Sequence, residues 1–124
     1  VARILLIDDE PQLRVIFTGF LEVDNHQVDT ANDGKQGLAL LAQASYDLVI
    51  TDVIMPEADG FEVLMELNKN YPRLKKIVIT GGSALLEPGY LLATAEQLRA
   101  DKVISKPVDF ATFRAAINEV LARP

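Results

Sequence analysis

Asp8 and Asp9 close the apolar run Ile4-Leu5-Leu6-Ile7, and Thr51 and Asp52 close Leu48-Val49-Ile50. Thr80 closes Ile77-Val78-Ile79, and Ser105 and Lys106 close Val103-Ile104. Such short apolar runs read as buried strands, so the pattern puts three carboxylates, a hydroxyl and an ammonium at one edge of one sheet. In an open parallel sheet the carboxyl ends of the strands form the crevice where ligands bind. Two carboxylates about 4 Å apart repel by roughly 4 kcal/mol at an effective dielectric of about 20, so the acids need a cation or a shared proton. Mg²⁺ is the natural answer: it binds through a few carboxylates, keeps several waters and takes phosphate oxygens as further ligands. Asp52 has the best position for a nucleophile, since a carboxylate attacks phosphorus to form an acyl phosphate. Lys106 offers a point charge to a phosphoryl oxygen, and Thr80 offers its hydroxyl to another. Any one of these residues has a plainer use, as a helix cap, a surface lysine or a good strand threonine; their joint occurrence at strand ends makes them a candidate site.

Other chemistries find less support. The GKQG segment at Gly34 lacks the GxxxxGK(S/T) spacing and no GxGxxG occurs, which argues against nucleotide binding. His26, the only histidine, falls in a polar turn before the second strand, where it is expected to be solvated. Serine, histidine and aspartate do not converge as a hydrolytic triad requires. Without cysteine the chain has no disulfide, thiolate zinc site or thiol nucleophile, as befits a cytosolic protein.

The elements that must position the candidate residues follow from periodicity. Strands are expected at Ala2 to Ile7, Gln27 to Ala31, Leu48 to Thr51, Lys76 to Thr80 and Lys102 to Ser105. Ile4 to Ile7 lacks polar alternation, as expected of a strand covered by helices on both faces. Leu13, Ile16, Phe17, Phe20 and Leu21 recur at helical steps, as do Phe110, Phe113, Ile117, Val120 and Leu121, so both sets should pack on the sheet. Pro11 suits the first turn of the first helix and Asp109 the cap of the last. Asp33-Gly34 opens a helix through about Ala44, and Asp59-Gly60 one through about Asn70. The result is an α/β fold, a single (βα)5 domain over residues 1–124 with a parallel, doubly wound sheet of five strands. At 124 residues, 49% hydrophobic and 24% charged, the chain is of ordinary size and composition for one soluble domain. No apolar run approaches the roughly 18 residues of a membrane span, and no signal peptide is apparent. A strand beginning almost at Val1 is expected of a processed chain or a domain cut from something longer. A net charge of −6 argues against direct nucleic-acid binding by this domain.

With these residues in place, the chain resembles the receiver domain of two-component response regulators, the CheY-like superfamily, from about Arg3 to Leu121. The resemblance rests on the acidic pair of ILLIDDEP, the TDVIMPEADG segment with Met55-Pro56 and Asp59-Gly60 after Asp52, Thr80 closing IVIT, and Lys106-Pro107 in ISKPVD. It implies a flavodoxin-like fold with strand order 2-1-3-4-5 and a cis peptide before Pro107. It also implies that Asp52 accepts a phosphoryl group from a sensor histidine kinase or phosphotransfer protein. Asp8, Asp9 and Asp52 would hold Mg²⁺ with the carbonyl of Ile54, and Thr80 and Lys106 would bind the phosphoryl oxygens. The domain would act as a cytoplasmic switch, not an enzyme on an external substrate, and signal to a downstream effector domain or protein through the face of its fourth helix, fifth strand and last helix (α4-β5-α5 in family terms).

Some positions depart from the family pattern. Val103 stands where most receivers carry an aromatic, Gly81-Gly82 follows Thr80 where a small residue such as alanine is common, and Pro88-Gly89 looks inserted before a helix expected near Tyr90 to Leu98. Ordering of the loop from Gly81 to Gly89, with a shift of the helix holding Leu91, Leu92 and Leu98, is the expected response to phosphorylation. Ile54 and Gly82 offer no side chain to orient an attacking water, so no strong acceleration of dephosphorylation is expected from them. Two further readings use the same residues. One is a pseudo-receiver that signals without phosphate; the other is a Mg²⁺-dependent phosphatase, which needs a second acid or base and a cap for which 124 residues leave no room.

Overall fold

A computed structural model of the chain describes residues 1–52, 59–80 and 99–124, the side chains of residues 59–61 excepted. The expectations placed on Ile54, Met55-Pro56, Gly81-Gly82, Pro88-Gly89 and the helix near Tyr90 to Leu98 lie outside the described residues. The strands are β1 (Arg3–Ile7), β2 (Gln27–Ala31), β3 (Leu48–Asp52), β4 (Lys75–Thr80) and β5 (Lys102–Ser105). The described helices are α1 (Pro11–Val23), α2 (Gly34–Gln43), α3 (Asp59–Asn70) and α4 (Phe110–Leu121).

All strand pairs are parallel and the order is β2-β1-β3-β4-β5. The chain moves outward from β1 to β2, then returns to the other side of β1 for β3. The switch point therefore falls between β1 and β3, where a doubly wound sheet opens its crevice. Register runs one residue further than the apolar pattern suggests: Asp52 still pairs with Ile79, and Lys75 with Leu48.

Because side chains alternate across a strand, β1 feeds two cores. Ile4 and Leu6 join Phe17 and Leu21 of α1 and Phe113, Ile117 and Val120 of α4; Leu5 and Ile7 join Leu41 of α2 and Val63, Leu64 and Leu67 of α3. Each fully buried aliphatic or aromatic side chain contributes roughly 1.5–3 kcal/mol, so β1 is anchored from both faces. Phe17 and Phe113 stack at 4.9 Å between ring centres, which fixes α1 against α4. Arg114 adds a two-pronged contact to Asp24, with bonds of 2.9 and 2.7 Å. Ile16, expected to pack on the sheet, is instead 46% exposed: α1 turns it past the edge of the buried stripe that Phe17 and Leu21 occupy.

The helix starts follow local chemistry. Pro11 occupies the first turn of α1, and the carboxylates of Asp33 and Asp109 accept from the free N–H groups of Gln36 and Thr112. On the other face α2 lies so close to β1 that a Cβ on Gly37 would stand 2.9 Å from Ile7 Cγ1 and closer still to Cδ1. Among the described residues no helix is long and apolar enough to cross a membrane.

Candidate functional site

The carboxyl ends of β1, β3, β4 and β5 bring Asp8, Asp52, Thr80 and Lys106 to the edge of the sheet on which the crevice opens. Asp8 and Asp52 flank the switch point and are only 1% and 2% exposed. Lys106 Nζ donates to Asp52 Oδ2 at 2.5 Å and lies 4.0 Å from Asp8 Oδ2. The Lys106 backbone N–H donates to the Thr80 carbonyl at 2.9 Å, which fastens the residue to the end of β4. The Lys106-Pro107 peptide is cis.

Asp8 is held on several sides. Its own N–H donates to the Ala31 carbonyl at 3.1 Å, Oδ1 accepts from the Glu10 N–H at 2.9 Å, and its carbonyl accepts from Arg14 Nη1 at 2.7 Å. Its other oxygen, Oδ2, is buried without a hydrogen-bond partner among the described residues. Burial pushes the Asp8 carboxyl up to about 6; the Glu10 N–H and Lys106 oppose the rise, while Asp52 and Asp9 add to it. For Lys106, burial favours loss of the proton. The hydrogen bond and attraction to Asp52, reinforced by Asp8 and Glu10, outweigh it and hold the ammonium above its usual range.

Glu10 is a site residue that the spacing of strand ends does not reveal. It occupies the N-cap position of α1 without making a side-chain cap, and its Oε1 instead lies 3.6 Å from Lys106 Nζ. One carboxylate oxygen from each of Asp8, Asp9, Glu10 and Asp52 falls within 4.8 Å of the others. The signal in the sequence was the third acid of Asp8-Asp9-Glu10, set just before a helix-opening proline.

These residues fit a small hard cation. Four converging carboxylates with one ammonium among them leave an excess of negative charge, and Asp8, with its pKa raised by burial and its Oδ2 making no hydrogen bond among the described residues, suits a cation ligand. The Thr80 hydroxyl is likewise buried without a hydrogen-bond partner among the described residues, at the end of the strand beside β3. A buried donor in that state is available to an incoming oxygen. Ile54, expected to lend its carbonyl, lies outside the described residues.

Residues 4–118 match the family model described as the response regulator receiver domain. The chain belongs to that family. As a receiver it is a signalling switch by kinship, and its fold is that of its relatives. Protein PilH of Pseudomonas aeruginosa is 35% identical over an alignment covering 98% of this receiver and 99% of PilH. The response regulator TrrA of Thermotoga maritima, solved in complex with Mg²⁺-BeF, superposes with a TM-score of 0.81 at 29% identity, over 97% of this chain and 99% of that one. A structure of the histidine kinase ThkA in complex with TrrA matches at a TM-score of 0.80 and 30% identity, over 98% of this chain and all of the matched chain.

His26 stands at the opposite edge of the receiver, before β2, as expected, but it is not simply solvated. Its Nδ1 accepts the Ala2 N–H at 3.0 Å, and its Nε2 is buried without a hydrogen-bond partner among the described residues. Burial and the nearby N-terminal charge lower its pKa against the pull of Asp24.

Proposed function

We propose that residues 1–124 form one phospho-accepting receiver domain, in which Asp52 takes a phosphoryl group from a sensor histidine kinase or phosphotransfer protein in a Mg²⁺-dependent reaction. The observation that carries this reading is the buried Asp52 carboxylate, 2.5 Å from Lys106 Nζ and beside an Asp8 oxygen that has no hydrogen-bond partner among the described residues.

A carboxylate oxygen of Asp52 forms the new O–P bond as the N–P bond of the donor phosphohistidine breaks, and the leaving imidazole takes up a proton. Asp8, Asp9 and Asp52, with the Ile54 carbonyl, would hold Mg²⁺, and Glu10 stands within reach of the same cluster. The bound cation supplies neutralisation of charge on the phosphoryl oxygens. Lys106 carries an ammonium already oriented over Asp52, so it meets those oxygens without rearrangement of its strand. Thr80 donates its hydroxyl to another of them.

The domain catalyses only its own phosphoryl transfer and dephosphorylation. Its state passes to a downstream effector domain or protein through the face built by the helix expected near Tyr90 to Leu98, β5 and α4. Its partners are proteins, not nucleic acid or membrane, and its place is the cytoplasm, where its kinase partner presents phosphohistidine.

Incubation with Mg²⁺ and acetyl phosphate, followed by intact mass, tests the reading. A single phosphoryl gain that disappears in Asp52→Asn supports it. No gain in a folded protein that binds Mg²⁺ would replace it with a phosphorylation-independent pseudo-receiver.

A further inference from the structure

The edge of the sheet opposite Asp52 carries an arrangement of charge for which phosphoryl transfer has no use. A cleft of about 420 Å³ at the amino ends of β4 and β5 is lined by Arg73, Lys75, Lys76, Arg99 and Arg123, with Asp101 the one acidic side chain. Among the lining side chains five cations face one acid, with Pro124 at the rim, which is a sharp local reversal in a chain of net charge −6.

Part of that charge is already engaged. Lys75 Nζ donates to the carbonyls of Leu121 and Arg123 at 3.1 and 2.5 Å, tying down the end of α4. Arg123 donates to the Asp101 carbonyl at 2.9 Å and to Glu119 Oε1 at 3.3 Å. Asp101 in turn uses Oδ2 to accept the Lys76 backbone N–H at 2.8 Å.

Arg73, Arg99 and the Lys76 ammonium are left. None of these three side chains makes a hydrogen bond or ion pair with another described residue. Lys76 is 3% exposed, and among the described residues it is the charge of Asp101, beyond ion-pair distance, that opposes the effect of its burial. An ammonium so placed is costly without a counter-charge. Arg99 adopts a φ of 56°, a left-handed conformation that glycine would hold without strain, so the backbone does not call for arginine there.

We propose that this cleft binds a doubly charged oxyanion of the phosphate type, free or as a small phosphomonoester, through Arg73, Arg99 and Lys76. Guanidinium forks match the oxygens of such a group in pairs, and a desolvated ammonium adds a point charge. The site lies at the far end of β4 from Thr80, and its occupancy does not depend on the reaction assigned to Asp52.

The test is a titration of the full Mg²⁺-free chain with inorganic phosphate and, separately, with glycerol phosphate, followed by amide NMR shifts. Saturable shifts at residues 73–76 and 99–101 are expected, and the tighter ligand of the two identifies the source. Arg99→Gly should bind about tenfold more weakly while folding at least as stably, and Lys76→Met should weaken binding similarly while keeping the buried stem. The proposal is overturned if neither anion moves these amides, if shifts appear only around residues 8–10, 52 and 106, or if both variants retain the original affinity.

Discussion

Lys106 reaches from the end of β5 across β4 to place its Nζ 2.5 Å from Asp52 Oδ2 at the end of β3. The same ammonium stands 4.0 Å from Asp8 and 3.6 Å from Glu10. It is thus the shared counter-ion of Asp8, Glu10 and Asp52, and the first consequences concern its removal.

Lys106→Met leaves the buried Asp8 and Asp52 without their ammonium. Removing one partner of a buried pair costs about 3–5 kcal/mol, and protonation of Asp8 relieves part of it, so a loss of about 2–3 kcal/mol is expected at pH 7 without Mg²⁺. Mg²⁺ should restore most of the loss and bind more tightly than in the original chain, because it no longer competes with a cation. Urea unfolding with and without Mg²⁺ checks both statements; equal stability of the two proteins without metal would refute the counter-ion role.

Asp8 makes the metal-free protein less stable as pH rises. Its folded pKa of about 6 lies above the ordinary 3.8, so the folded state keeps the proton over a range where the unfolded chain has lost it. Below about pH 4 both states are protonated and nothing is lost. Between about pH 4 and 6 the stability falls, and above that range the deficit levels off at about 3 kcal/mol. Asp8→Asn should abolish this slope and be the more stable protein at pH 7 in EDTA, as denaturant titrations at several pH values would show.

Mg²⁺ affinity should follow the same carboxyl in the opposite sense. Metal and proton compete for Asp8, so affinity is expected to fall about tenfold per pH unit below about 6 and to level off above it. Calorimetric titrations from pH 5 to 8 would reveal this. A flat profile would show that Asp8 is not a ligand.

Two glycines should respond in opposite directions to alanine. Gly37→Ala drives a Cβ into Ile7, which is fully buried and has nowhere to retreat, and is expected to cost about 1–3 kcal/mol. At Gly19, inside α1, a Cβ would meet nothing within 4 Å, so Gly19→Ala should gain up to about 1 kcal/mol from helix propensity. Thermal unfolding of the two variants side by side checks the contrast.

The strands were legible because β1 and β3 are covered on both faces and so read as unbroken apolar runs, and Asp8, Asp52, Thr80 and Lys106 were legible because each directly follows or ends such a run. What escaped depends on contacts between distant parts of the chain. Glu10 reads as the residue before a helix, and only the fold turns its carboxylate toward Lys106. His26 reads as part of a polar turn, yet its partner is the Ala2 N–H, 24 positions away. Lys76 reads as the polar start of a strand, and nothing local marks it as buried.

Asp52 and Lys106 are 54 positions apart, with β4 seated between their strands. A ribosome delivers all the acids of the cluster long before the lysine that balances them. A nascent chain, or one clipped before β5, therefore carries the acids without the ammonium that neutralises them, and the charge at this edge of the sheet comes into balance only when β5 docks beside β4.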